Sequence, residues 1–145
     1  MPCPARISPL AVILGVIAGF LLNLLLTFAH GFILGMFWWK DTPAHLAEAR
    51  FAEDVTQCVI NLCLILGAAF FGGYTAGWIA PRSAVANGAV VGLLLVILTL
   101  VLYRPLNMHI FPWWFNAADF SLTLPAALVG GHQGRRLRAL FVFDD

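Results

Sequence analysis

Between Leu10 and Trp39 no charged side chain interrupts the chain. A run of that length exceeds the roughly 20 residues with which a helix crosses a hydrocarbon layer of about 30 Å. It is also far longer than the roughly 7–15-residue apolar core of a cleaved signal peptide, so it predicts a signal anchor and a first span over about residues 10–38. A second apolar run, about 55–80, closes on Pro81 and Arg82, and a third, about 83–103, follows after only a tight turn. Those two predict a helical hairpin. The fourth run, about 113–134, opens after Pro112, a residue that a helix tolerates at its first turn, but it contains Asp119 and Pro125. A bent or late-starting helix is expected there, with Asp119 either capping a short final span or lying in the outer third of the membrane.

The connections carry patterns of their own. Asp41 or Thr42 followed by Pro43 signals a helix start, after which Ala44, Ala47, Phe51 and Val55 recur on one face while His45, Glu48, Glu53 and Asp54 point elsewhere. An interfacial amphipathic helix over about 43–54, feeding the second span, is predicted. The segment from Arg104 to Asp119 holds Ile110, Phe111, Pro112, Trp113, Trp114 and Phe115, a composition suited to the headgroup level.

Composition sharpens this into an all-α fold: a polytopic four-helix transmembrane bundle in a single domain. The 145 residues are 61% hydrophobic and 10% charged, where soluble domains carry roughly 25% charged residues. The formal net charge of +1 supplies no field that would recruit nucleic acid. Cys3, Cys58 and Cys63 form no CxxC pair and read as packing residues, since free cysteine behaves as a small buried hydrophobe.

Basic residues set the orientation. With both termini cytoplasmic, Arg6, Arg82, Arg135, Arg136 and Arg138 lie inside as topogenic and anionic-lipid anchors, against Lys40, Arg50 and Arg104 outside. Trp38, Trp39, Tyr103, Trp113 and Trp114 then fall at the outer interface, and Tyr74 and Trp78 near the inner one, as aromatic belts should.

Small and polar residues mark the packing faces. Gly15, Gly19, Asn23, Thr27 and Gly31 recur every four residues in the first span, Gly88 and Gly92 follow Asn87 in the third, and Asn61, Ala68, Gly72 and Thr75 lie in the second. Small residues let backbones approach in lipid, so Gly15, Gly19, Gly72, Gly73, Gly88, Gly92, Gly130 and Gly131 are expected at helix contacts. Ala68-Ala69-Phe70-Phe71-Gly72-Gly73-Tyr74 also resembles Ala126-Ala127-Leu128-Val129-Gly130-Gly131-His132. Spans one and two could thus be one hairpin and spans three and four its parallel copy, about an axis along the membrane normal.

The stretch Phe71-Gly72-Gly73-Tyr74-Thr75-Ala76-Gly77-Trp78-Ile79-Ala80-Pro81-Arg82, then Asn87-Gly88-Ala89-Val90-Val91-Gly92, resembles the central hairpin of a family of small uncharacterised four-span bacterial inner-membrane proteins. The likeness covers about a quarter of the chain. It implies a topology and a bacterial inner membrane, and carries no catalytic residue across.

Ionisable groups inside a membrane are functional suspects. His30, Arg104 and Asp119 are expected at one depth, as an outer-leaflet polar cluster with Asn23 and Thr27 beneath it; the alternative is that His30 and Arg104 snorkel to headgroups while Asp119 caps a helix. No acidic residue lies near the middle of any span, which counts against ion-coupled transport. His30, His45, His109 and His132 show no HxxxH or HExxH spacing, and no GxSxG, Walker, GxGxxG or CxxCH sequence occurs, so no metal, cofactor or catalytic residue is expected. The leading expectation is a non-enzymatic bundle that associates with the lipid bilayer and with other membrane proteins or itself, as an accessory subunit or a homo-oligomer. The alternatives are a small oligomeric transporter or channel lined by Asn23, Thr27, His30, Asn61 and Thr75, and, after it, an interfacial enzyme using His30, His109 and Asp119.

Overall fold

The computed structural model describes residues 7–37, 40–107 and 111–141, with the side chains at 44, 45, 47, 48 and 103–107 excepted. Expectations resting on Cys3, Arg6, Trp38, Trp39 and His109, and on the side chains of His45, Glu48, Tyr103 and Arg104, lie outside the described residues. Five α-helices follow in order: α1 Pro9–Phe37, α2 Ala44–Glu53, α3 Val55–Ile79, α4 Ala84–Asn107 and α5 Trp113–Phe141, with a 3₁₀ turn Pro81–Ser83 before α4. The described residues contain no strand.

Local chemistry explains the boundaries. Pro9 begins α1 where its missing N–H costs nothing, and Ser8 Oγ accepts from the Ala11 amide at 3.5 Å. Asp54 alone separates α2 from α3: it is extended, and its Oδ1 accepts from Thr56 N at 2.9 Å and Gln57 N at 3.2 Å, capping α3. Pro112 supplies the first carbonyl of α5, accepting from Phe115 N at 3.0 Å. Pro125 removes one donor within α5, yet the helix runs unbroken from Trp113, so the expected late start is corrected: Asp119 sits inside the second turn and is not a cap. The C-terminal boundary shifts too. The helix continues past residue 134 to Phe141 and carries Arg135, Arg136 and Arg138 on its last turns.

Among the described residues, three segments are long and apolar enough to cross a membrane: Pro9–Phe37, Val55–Ile79 and Pro81–Leu102. With 29 residues and about 1.5 Å of rise each, α5 is roughly 43 Å long, so length does not set it apart. Its Asn116, Asp119, glycines and arginines do.

Packing follows a rhombus. α3 touches α1, α4 and α5; α4 touches α1 and α5; among the described residues α1 and α5 do not come together. The side-chain core is small, Val12, Ala69, Ala76, Val91 and Leu95, with Val16, Phe20, Val90 and Ala126 against it. At the glycines of the interior, backbone meets backbone. A Cβ at Gly15 would lie 2.7 Å from the Gly72 carbonyl oxygen, and one at Gly88 2.7 Å from that of Ala127. Gly19 faces Ala68 and Gly72, Gly92 faces Leu124 and Ala127, and Gly131 faces Ala84 and Gly88. The seam between α3 and α5 is tighter: Gly73 lies on Ala127, Gly130 on Phe70 and Tyr74, and Gly77 on Gly131. For helices placed in lipid, burial of apolar area would not drive association, and such close van der Waals contact would hold them together. The two hairpins use one device: a glycine pair of α1 lies on Ala68 and Gly72 of α3, and a glycine pair of α4 lies on Ala127 and Gly131 of α5.

Gly31 departs from the expected stripe. Each step of four residues overshoots a full turn by about 40°, so Gly31 comes round roughly 160° from Gly15. It meets nothing within 4 Å, as does Gly35.

Candidate functional site: a polar cavity between the first and last helices

Because α1 and α5 stay apart, the bundle is not filled along its long diagonal. At the end where α1 finishes and α3 and α5 begin, which also carries α2, a cavity of about 170 Å³ remains. Each of the four long helices sends one polar turn into it: Asn23 and Thr27 from α1, Asn61 from α3, Thr99 from α4, Asn116 and Asp119 from α5. Ile65, Phe111, Phe115 and Phe120 make its apolar walls. Asn61 and Asp119 each lie six residues from the start of their helices, which puts them roughly 9 Å below the end of the bundle.

Hydrogen bonding there is incomplete. Asp119 is 7% exposed and its Oδ1 accepts from the Thr123 hydroxyl at 3.0 Å, one turn on. The Thr27 hydroxyl reaches Asn23 Oδ1 at 3.4 Å, and Asn116 Nδ2 donates to the Phe111 carbonyl at 3.4 Å. Asn61 is 5% exposed, and its Oδ1 has no donor among the described residues. A buried acceptor left unmade costs about 1–3 kcal/mol, so this atom stands out. Beneath, a second void of about 20 Å³ shares Asn23, Ile65 and Thr99, touches Thr123 and ends on Ala68, Ala69 and Leu95. It has room for one water molecule.

The expected polar cluster is thus brought together in part. Asn23, Thr27 and Asp119 share the cavity. His30 does not line it: its Nε2 lies 3.1 Å from Gln57 Oε1 on α3, and its ring sits edge-on to Phe51 at 5.9 Å. The depth expected for His30 suits this end of the bundle, but its azimuth directs it to Gln57. The Arg104 side chain lies outside the described residues. Thr75, expected in a pathway, does not line the cavity and gives its hydroxyl to the Phe71 carbonyl of its own helix at 2.9 Å. Thr99 and Asn116 were missed because a single polar residue in an apolar run carries no signal until the helix rotations are known.

Aromatic rings roof this end. Phe51 meets Phe111 edge-on at 5.7 Å, Phe111 stacks on Phe115 at 4.9 Å, and Trp114 sits edge-on to Phe115 at 6.1 Å. Cys58, buried, donates its Sγ hydrogen to the Phe51 carbonyl at 3.4 Å and ties α2 down; Cys63 is exposed and free.

The opposite end, at the tight turn, is fastened by polar side chains. Asn87 is fully buried, accepts from the Ser8 amide at 3.0 Å and donates to Ser83 Oγ at 3.1 Å. Arg138 Nη1 donates to the carbonyls of Trp78 and Ile79 at 2.6 and 2.9 Å, satisfying the end of α3, whereas Arg82, Arg135 and Arg136 are exposed. Tyr74 stacks on Trp78 at 6.0 Å, and Trp78 meets Phe141 at 5.9 Å. Among the described residues no three His, Cys, Asp or Glu side chains come together as metal ligands. Comparison with family models, with curated proteins and with solved structures returned no match.

Proposed function

We propose that the chain is a non-enzymatic four-span protein of the bacterial inner membrane, with both termini cytoplasmic. It acts through helix association, as an accessory subunit of a larger membrane complex or as a homo-oligomer. α5 is the fourth span in this reading, which its glycine contacts with α3 and α4 support. Exposed Arg82, Arg135 and Arg136 at the tight-turn end support a cytoplasmic assignment of that end.

One observation carries the association reading. On α1, the face turned from Gly15 and Gly19 is a continuous exposed ridge of Leu10, Leu14, Ile17, Leu21, Leu25, Phe28 and Phe32. Gly31 and Gly35 lie along it with nothing within 4 Å. A notch one turn long in a bulky apolar ridge is the shape that a second helix enters in lipid, where small residues allow close approach. The test is purification of the tagged chain from its native host in mild detergent, followed by native mass spectrometry. A stoichiometric complex, hetero- or homomeric, is expected, and Gly31→Leu with Gly35→Leu should dissolve it while leaving the monomer folded. A lone monomer, or a complex indifferent to those leucines, would sink the reading.

A small oligomeric transporter or channel is the second reading, supported by the cavity with Asn23, Thr27 and Asn61. It predicts solute flux in liposomes that Asn23→Leu abolishes.

A further inference from the structure

We infer that the cavity between α1 and α5 is a binding site for a small organic ammonium ion. This inference stands apart from the association reading, since it concerns the interior of one copy.

Three features argue for it. The first is an unmet demand: Asn61 is among the residues that line the cavity, and its buried oxygen has no donor among the described residues, so an occupant whose N–H reached it would satisfy it. The second is charge. Among the described residues, Asp119 is the one ionisable side chain in the lining, and Thr123 occupies only one of its oxygens. A carboxylate offers about four lone-pair sites, and buried charges are ordinarily paired; a cation entering the cavity would pair with this group and hold it ionised, where no described residue does. The third is shape. About 170 Å³ far exceeds a bare metal ion and slightly exceeds the ~150 Å³ of an apolar cavity that takes benzene. Phe111, Phe115 and Phe120 suit an apolar body, and aromatic faces attract cations. An ammonium group with a short alkyl or aryl body meets all three conditions, with its N–H groups toward Asp119 and Asn61 and its carbon atoms toward the rings.

The experiment uses the full chain in nanodiscs, titrated by equilibrium dialysis with benzylammonium chloride, with the nearly isosteric neutral benzyl alcohol and with sodium chloride. Saturable binding of benzylammonium is expected, at least tenfold tighter than of the alcohol, and Asp119→Asn should erase that preference. If Asp119→Asn does not fold, Asn61→Leu decides alone: leucine fills part of the cavity and removes the unpaired oxygen. The melting temperature should then hold or rise while benzylammonium binding falls at least tenfold. Four results would each overturn the proposal. They are binding indifferent to charge, binding unchanged by both substitutions, protection by sodium but not benzylammonium, and no saturable binding at all, which would mean that the cavity holds water only.

Discussion

Replacing Gly73 with alanine adds one methyl group where α3 lies on α5. The new Cβ would overlap the Ala127 carbonyl, 2.7 Å from its carbon and 2.8 Å from the Ala127 Cα. Carbon atoms rest about 3.5–4.0 Å apart, so the two helices must separate by about 1 Å along the seam. A gap of that size forfeits a quarter to a half of each dispersion contact. With on the order of forty atom pairs at ~0.1–0.2 kcal/mol each, the loss is about 1–4 kcal/mol. Overpacked cores lose a similar ~1–3 kcal/mol. Alanine's better helix propensity returns at most about 1 kcal/mol, leaving, if all of it is returned, a net destabilisation of about 0–3 kcal/mol. Gly67 is the matched control: it lies in the same helix, and a Cβ there meets nothing within 4 Å. Gly67→Ala should therefore be neutral or stabilising by up to about 1 kcal/mol. Both variants can be unfolded by titrating SDS into mixed micelles while following helicity and tryptophan fluorescence. Equal shifts for the two would show that the seam does not set stability.

Two further substitutions test the polar ends of the bundle, beside the Gly31 and Gly35 variants and the ammonium titration given above. Arg138→Met keeps the aliphatic stem but withdraws the donor from the Trp78 and Ile79 carbonyls. It should cost about 1–2 kcal/mol, and amide exchange should quicken in the last turn of α3 while the α2 end is unchanged. Asp54→Ala removes the cap of α3 and should cost about 1 kcal/mol, seen as faster exchange at the Thr56 and Gln57 amides; protection that stays the same there would rule the cap out as a stabilising element.

The helices were legible in the sequence because each apolar run is long and bounded by charge or proline, and the observed ends lie close to those expected for α1 to α4. The eight glycines singled out by spacing all lie against a neighbouring helix. What spacing could not supply was rotation. These helices are apolar nearly all round, so no strong moment fixes which side faces in. A four-residue step groups Gly31 with Gly15 but drifts, and depth alone groups His30 with Asp119 although Gln57 lies nearer on its own side. The cavity depends on all four rotations and on α1 and α5 standing apart, which no single segment encodes. Asp119 was recognised as unusual, but its place inside the second turn of α5 follows from Pro112 starting the helix, a step the later Pro125 obscured.

The fastenings at the tight-turn end also bear on how the protein is made. The Ser8 amide waits for Asn87, 79 residues later, and the carbonyls of Trp78 and Ile79 wait about 60 residues for Arg138. At translation rates of about 5–20 residues per second, the first wait alone is roughly 4–16 s. For that time α1 can lie in the bilayer, already able to meet α3 through Gly15 and Gly19, with its opening turn unfastened. The last helix is then the closing piece twice over, seating its glycines on α3 and α4 and covering the open end of α3 with its arginine. A chain released before Arg138 would leave the Trp78 and Ile79 carbonyls without that donor, and the end of α3 open to water.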